Sequence, residues 1–225
     1  MNDVTPISGA LPVGYESFAQ YGQEAASNAD PFLRFSKGEW LLGASDEEVD
    51  LGRRFAANMA ELAIGWIRWA VNKPIDRLMG LLSEGYRPKP RDALGFTDQA
   101  LWDRDKDKKP IDPWRRVNEL PLADVETEEA MIFSTSSRGG IGAVGNLCKS
   151  YARGLRQHPG AVPIIEIGRD SYRHDDFGKV YVPVFTIVDW IDGKALTAMP
   201  PPTTPPPIAP QLAGDEVILD DSIPF

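Results

Sequence analysis

The chain has 225 residues, is 42% hydrophobic and 25% charged, and carries a formal net charge of −9. That length holds one good-sized domain or two small ones, and the acidic balance excludes an all-over basic coat for nucleic acid while leaving room for a local basic groove. Cys148 is the only cysteine, which excludes an internal disulfide or a cysteine-based zinc site and fits a reducing cytoplasm.

Residues 1–29 are small, polar and punctuated by Gly and Pro, and read as a flexible arm. Their start lacks a basic segment followed by an apolar one, so no signal peptide is expected. Phe32–Phe35 and Glu39–Leu42 read as two strands around Lys37 and Gly38. The stretch "ASDEEVD" reads as an acidic turn. Between 62 and 71 the period is ambiguous. Phe55, Met59, Leu62, Trp66 and Trp69 make a helical stripe, but Gly65 and the β-branched and aromatic residues after it favour a strand. Residues 86–125 are dense in turn signals, among them "WDRDKDKKPIDPW" and "NELPLAD". "EEAMIFSTSS" reads as a strand, and "RGGIGAVGNLCKSYARGLRQ" as a glycine turn feeding a helix. "VPIIEI" is a short strand. "GKVYVPVFTIVDWI" is nearly continuously apolar, so it predicts a strand buried on both faces, with Pro183 demanding a bulge or an edge. No run of about 18 apolar residues occurs, so no membrane span is expected.

After Thr197 the composition changes. Residues 198–214 form a proline-rich linker suited to polyproline II rather than to a core. Residues 215–225 form an acidic tip ending in "DDSIPF". This end resembles the acidic tip of bacterial single-stranded DNA-binding proteins, which close on two or three Asp followed by Ile-Pro-Phe. Here the matching residues are Asp220, Asp221, Ile223, Pro224 and Phe225. Ser222 stands where a third acid is common, which softens the electrostatics. The resemblance covers those six terminal residues and the order of globular body, linker and tip. The body looks more like phage- or prophage-encoded relatives with the same tail strategy. The resemblance implies an OB-fold-like barrel with insertions, a β-rich α+β body over 30–197 with at least one helix. It also implies a tip that recruits a helicase, primase, exonuclease or recombinase. It leaves assembly into a homo-oligomer open. In physical terms, Phe225 offers a ring and a terminal carboxylate to a pocket rimmed by cations, and Pro224 lowers the ordering cost.

A single-strand binder needs a cationic track and aromatic faces for bases. Residues 51–91 carry net +5, and 131–165 carry four cations and no acid. Candidate DNA contacts are therefore Arg53, Arg54, Trp66, Arg68 and Trp69 in the first segment, and Arg138, Lys149 and Arg153 in the second. As a strand, 62–71 would set Trp66 beside Arg68 on one face. Trp114, with Arg115 and Arg116, reads as an exposed aromatic in a loop. Tyr172, Arg173 and Lys179 form a fringe in a polar hairpin loop. Core packing is the competing fate of Trp66 and Trp69.

The run Gly140-Ile141-Gly142-Ala143-Val144-Gly145 fits a dinucleotide fingerprint, with Glu166 about twenty residues on. The preceding "STSSR" and the short remainder of the chain argue against it, so no cofactor is expected. His174, Asp175 and Asp176 read as a turn rather than metal ligands, and Cys148 as a buried apolar residue. No nucleophile–base set is visible. The expectation is a non-catalytic, sequence-tolerant single-strand DNA binder, without a membrane role, in a bacterial host cytoplasm. The alternatives are an adaptor whose tail imitates such a protein, or a nucleotide binder built on the glycine run.

Overall fold

The computed structural model describes residues 31–71, 73–175 and 178–193. The arm at the start of the chain, the linker and the tip lie outside them. β1 (Phe32–Ser36) and β2 (Glu39–Leu42) form the expected hairpin. Its turn needs Lys37 and Gly38 at φ of 50° and 94°, a region that glycine enters without steric cost. β3 (Glu47–Val49) pairs with β2 inside the stretch that reads as an acidic turn. β4 (Arg54–Ala57), β5 (Ala63–Ala70) and β6 (Lys73–Leu81) follow.

The ambiguous segment is thus a strand, and Gly65 shows why. A Cβ there would collide with the Leu78 carbonyl oxygen and lie 2.8 Å from Met79 Cα. Only glycine lets β5 and β6 approach this closely.

β7 (Trp114–Asp124) corrects the reading of 86–125 as turns throughout. It is an eleven-residue strand at the centre of the sheet, with Leu120 and Leu122 fully buried. Pro121 is tolerated because β7 changes neighbour around it. Glu119 pairs with β5 and Leu122 with β4, while the Pro121 carbonyl accepts the Asn58 N–H at 3.0 Å. A missing backbone donor costs little at such a gap.

β8 (Ala130–Thr135) leads into α1 (Arg138–Gly154). The glycines do not make a turn before the helix, as expected from sequence, but lie within it. The Ser137 side chain accepts the Gly140 N–H at 3.0 Å and starts the helix ahead of them. β9 (Ala161–His174) and β10 (Gly178–Asp192) make one long hairpin, so most of the expected polar loop is paired strand. β10 is an edge strand, as Pro183 required. It is not buried on both faces, because most of its residues are half-buried or exposed. Its irregularity falls between Ile187 and Asp189.

The strand order is β10-β9-β4-β7-β8-β1-β2-β3, with the β5–β6 hairpin branching from β7. Among the described residues only β1 and β8 pair in parallel. Among the described residues no ladder joins β10 to β3, so the sheet is open, in place of the OB-like barrel expected. It is strand-rich with one α-helix among the described residues, where the sequence predicts a β-rich body with at least one helix. The sheet curls until its two ends meet through side chains. Trp40 Nε1 donates to the Gly168 carbonyl at 3.0 Å, and Arg169 Nη1 to the Gly38 carbonyl at 3.1 Å. Inside the curl, Trp40 packs on Phe133 and Phe185 with ring centroids 5.4 Å apart in each case. Val144 and Leu147 of α1 join this core. Each such fully buried side chain contributes about 1.5–3 kcal/mol.

Candidate nucleic-acid interface

The rungs of β6, β5 and β7 set Leu78, Trp66 and Arg116 in one row and Asp76, Arg68 and Trp114 in the next. Residues directly opposite share a face. Trp66 and Arg68 therefore stand side by side, and Trp114 and Arg116 join them. The face is not free, however. Residues 86–112 fold over it. Trp66 Nε1 donates to the Lys89 carbonyl at 2.9 Å, and Tyr86 lies against Gly80 with its hydroxyl donating to the Leu78 carbonyl at 3.1 Å. Arg68 is paired with Asp76 and lies 4.0 Å under the Phe96 ring centroid. Arg91 ties the covering segment down through Asp112 and the carbonyls of Gly95 and Phe96. Trp114 opens β7 and is buried, not exposed in a loop. Of the charged residues in this group only Arg116 lacks an ion pair among the described residues, and it is exposed.

Arg53 and Arg54 are paired within the fold. Arg53 grips Asp124 through Nε and Nη2 at 2.7 and 3.1 Å and reaches Glu126 at 2.8 Å. Burial alone would raise the Asp124 carboxyl, but the Arg53 hydrogen bond and the Glu126 and Thr127 N–H groups outweigh it and hold it below its ordinary value. Arg54 pairs with Glu166 at 3.5 Å, so the acid of the supposed fingerprint has a different role. Trp69 is half-buried. Arg115 lies opposite Ile67, on the face away from Trp66, where Arg77 pairs with buried Glu119. Burial pushes the Glu119 carboxyl up, and Arg77 offsets part of that. Cys148 is half-buried against the core, and burial pushes its thiol up.

The β9–β10 arm is different. Its ladder sets Lys179 opposite Arg173, Tyr181 opposite Ser171 and Pro183 opposite Arg169. Arg169, Arg173, Lys179 and Tyr181 therefore share one face, which holds no acid in the stretch where residues 169–173 pair with residues 179–183. Lys179 Nζ lies 4.7 Å and Arg169 Cζ 5.7 Å from the Tyr181 ring centroid, a cation–π arrangement. Tyr181 itself leans on Gly38, where a Cβ would come within 2.9 Å of the ring. Tyr172 is exposed but points to the opposite face, beside Asp170, so it does not join Arg173 and Lys179 as expected. Arg169 and Tyr181 were missed. The two-residue period of a strand run through "RDSYR" and "KVY" would have found both.

No protein-family model, curated protein or solved structure matches the chain.

On α1, Arg138, Lys149 and Arg153 are all exposed. At 3.6 residues per turn they fall on the side opposite Ala143, Val144 and Leu147. Gly140 and Gly154 are required by packing, since a Cβ would strike Thr135 and Trp190. Gly142 and Gly145 are not, because a Cβ at either would meet nothing within 4 Å. Each nevertheless costs the helix about 1 kcal/mol relative to Ala. Because the glycines are helical, they do not form the strand-to-helix loop that a dinucleotide fingerprint requires. No group of three His, Cys, Asp or Glu converges among the described residues. No helix among them is long and apolar enough to cross a membrane.

Proposed function

We propose that this chain is a sequence-tolerant, non-catalytic single-stranded DNA-binding protein that recruits DNA-processing partners through its terminal tip. The observation that carries the reading is the outer stretch of the β9–β10 arm, where Arg169, Arg173 and Lys179 surround Tyr181 with no acid among them on that face. Cations held about 13 Å apart along a strand, such as Arg169 and Arg173, suit phosphates two nucleotides apart on an extended chain. Tyr172 offers an exposed ring for a base on the other side of the ribbon. The "DDSIPF" end supports the recruiting role by its resemblance to the tips of single-strand binders.

The fold is then an open, curled sheet performing a task that the resembled family performs with a barrel. The covered Trp66–Arg68 face favours a second reading, an adaptor that binds protein rather than DNA and imitates such a tail. Titrating the wild type and an R169S/R173S/K179S variant against labelled oligothymidine separates the two. Salt-weakened binding that the variant loses supports the single-strand reading. Absence of binding by the wild type leaves the adaptor.

A further inference from the structure

The face of α1 turned away from the core is left unexplained by its packing. Arg138, Lys149, Arg153 and Arg156 lie along it within about 60° of one another, Arg156 by continuation of the helical turns past Gly154. All four are exposed, none makes an ion pair among the described residues, and residues 131–165 contain no acid. Arg138 occupies the first helical position, where the helix dipole disfavours a cation, and no acid sits in the first turn to offset it. Between the cations the face is bare backbone at Gly142 and Gly145. From Arg138 to Arg153 it runs about 22 Å. It also adjoins the arm, on the side of the ribbon that bears Tyr172: a Cβ on Gly139 would lie 2.9 Å from Val182 of β10, whose ladder partner is Asp170.

Resting on the single-strand reading above, we infer that this face is a second phosphate-binding surface, along which the nucleic acid leaves the arm. The recognition is of backbone charge rather than of bases, since the face presents no aromatic ring. The two glycines let the phosphates approach the helix backbone between Arg138 at one end and the other three cations at the other.

The test uses the full chain and two oligothymidines, one short enough for the arm alone and one several nucleotides longer. An R138S/K149S/R153S/R156S variant is compared with the wild type and with a charge-matched R104S/K106S/K108S/K109S control. The inference expects the helix variant to bind the short oligomer normally, which also reports that it is folded. It should bind the longer one at least tenfold more weakly, with the salt slope reduced by roughly 3, about 0.7 for each phosphate left without its cation. The control should match the wild type on both. Equal affinities and slopes for helix variant and wild type on the longer oligomer overturn the inference while leaving the arm in place. So does a helix variant that binds DNA more tightly, to the degree produced by deleting 215–225, because the acidic tip is then the occupant. A wild type that binds neither oligomer defeats the single-strand reading itself.

Discussion

Arg173 and Lys179 stand directly opposite each other across the β9–β10 ladder, on one face of the arm. Like charges in that position repel, and neither has an acid beside it on that face to relieve them. A bound polyanion does so. Replacing both with Ser should therefore weaken oligothymidine binding and lower the salt slope by about 1.4, while the melting temperature holds or rises slightly. Anisotropy titrations at several salt concentrations, with a thermal melt, check both halves. A variant that melts lower and binds unchanged would make the pair structural.

Trp66 is tied into the fold by the segment that covers it. Trp66→Leu removes the hydrogen bond to the Lys89 carbonyl and part of the cover over β5. It should cost about 1–3 kcal/mol of stability, a few degrees in melting temperature for a domain of this size. The affinity of the folded protein for oligothymidine should not change. A tenfold loss of affinity without loss of stability would return Trp66 to the role of base platform.

How far the sequence reveals this site depends on the period applied to each segment. The β1–β2 hairpin was legible because Lys37 and Gly38 separate two apolar runs. Residues 62–71 were legible as a strand through Gly65. β7 was hidden by Pro121 and Pro113, since no local signal says that Pro121 falls where β7 exchanges β5 for β4. Curling of the sheet was hidden too, because Trp40 and Gly168 are 128 residues apart. The basic content of 51–91 was correctly counted, but its partners Asp76, Glu119, Asp124 and Glu166 come from other strands. Sequence charge therefore pointed to a face that is covered and largely neutralised, and the alternation that places Tyr181 beside Arg173 went unread.

Asp124 and Glu119 give the protein two opposed pH dependences. The Asp124 carboxyl is held below its ordinary value of 3.8, so the stability it contributes is complete above that pH and is lost as pH falls through its lower folded value. Glu119 is raised above 4.5, so it disfavours the folded state as pH rises from there through its folded value. Asp124→Asn should lower stability near neutrality and flatten its decline below about pH 4. Denaturant melts across pH 2–7 check this. An acid limb as steep as that of the wild type would place the dependence elsewhere.

Removing residues 215–225 takes away Asp215, Glu216, Asp220 and Asp221 together with the terminal Phe225. DNA binding should stay the same or tighten at low salt, because competing negative charge is lost. Recruitment of a DNA-processing partner should vanish. Co-sedimentation with partner on coated single strands reads the second effect. Markedly weaker DNA binding after the deletion would contradict a partner-recruiting tip.

The most direct measurement is fluorescence anisotropy of a labelled oligothymidine against the full chain, with a duplex of the same length beside it, at two salt concentrations. The account predicts tight binding to the single strand that weakens with salt, and little binding to the duplex. No binding to the single strand at low salt would contradict it.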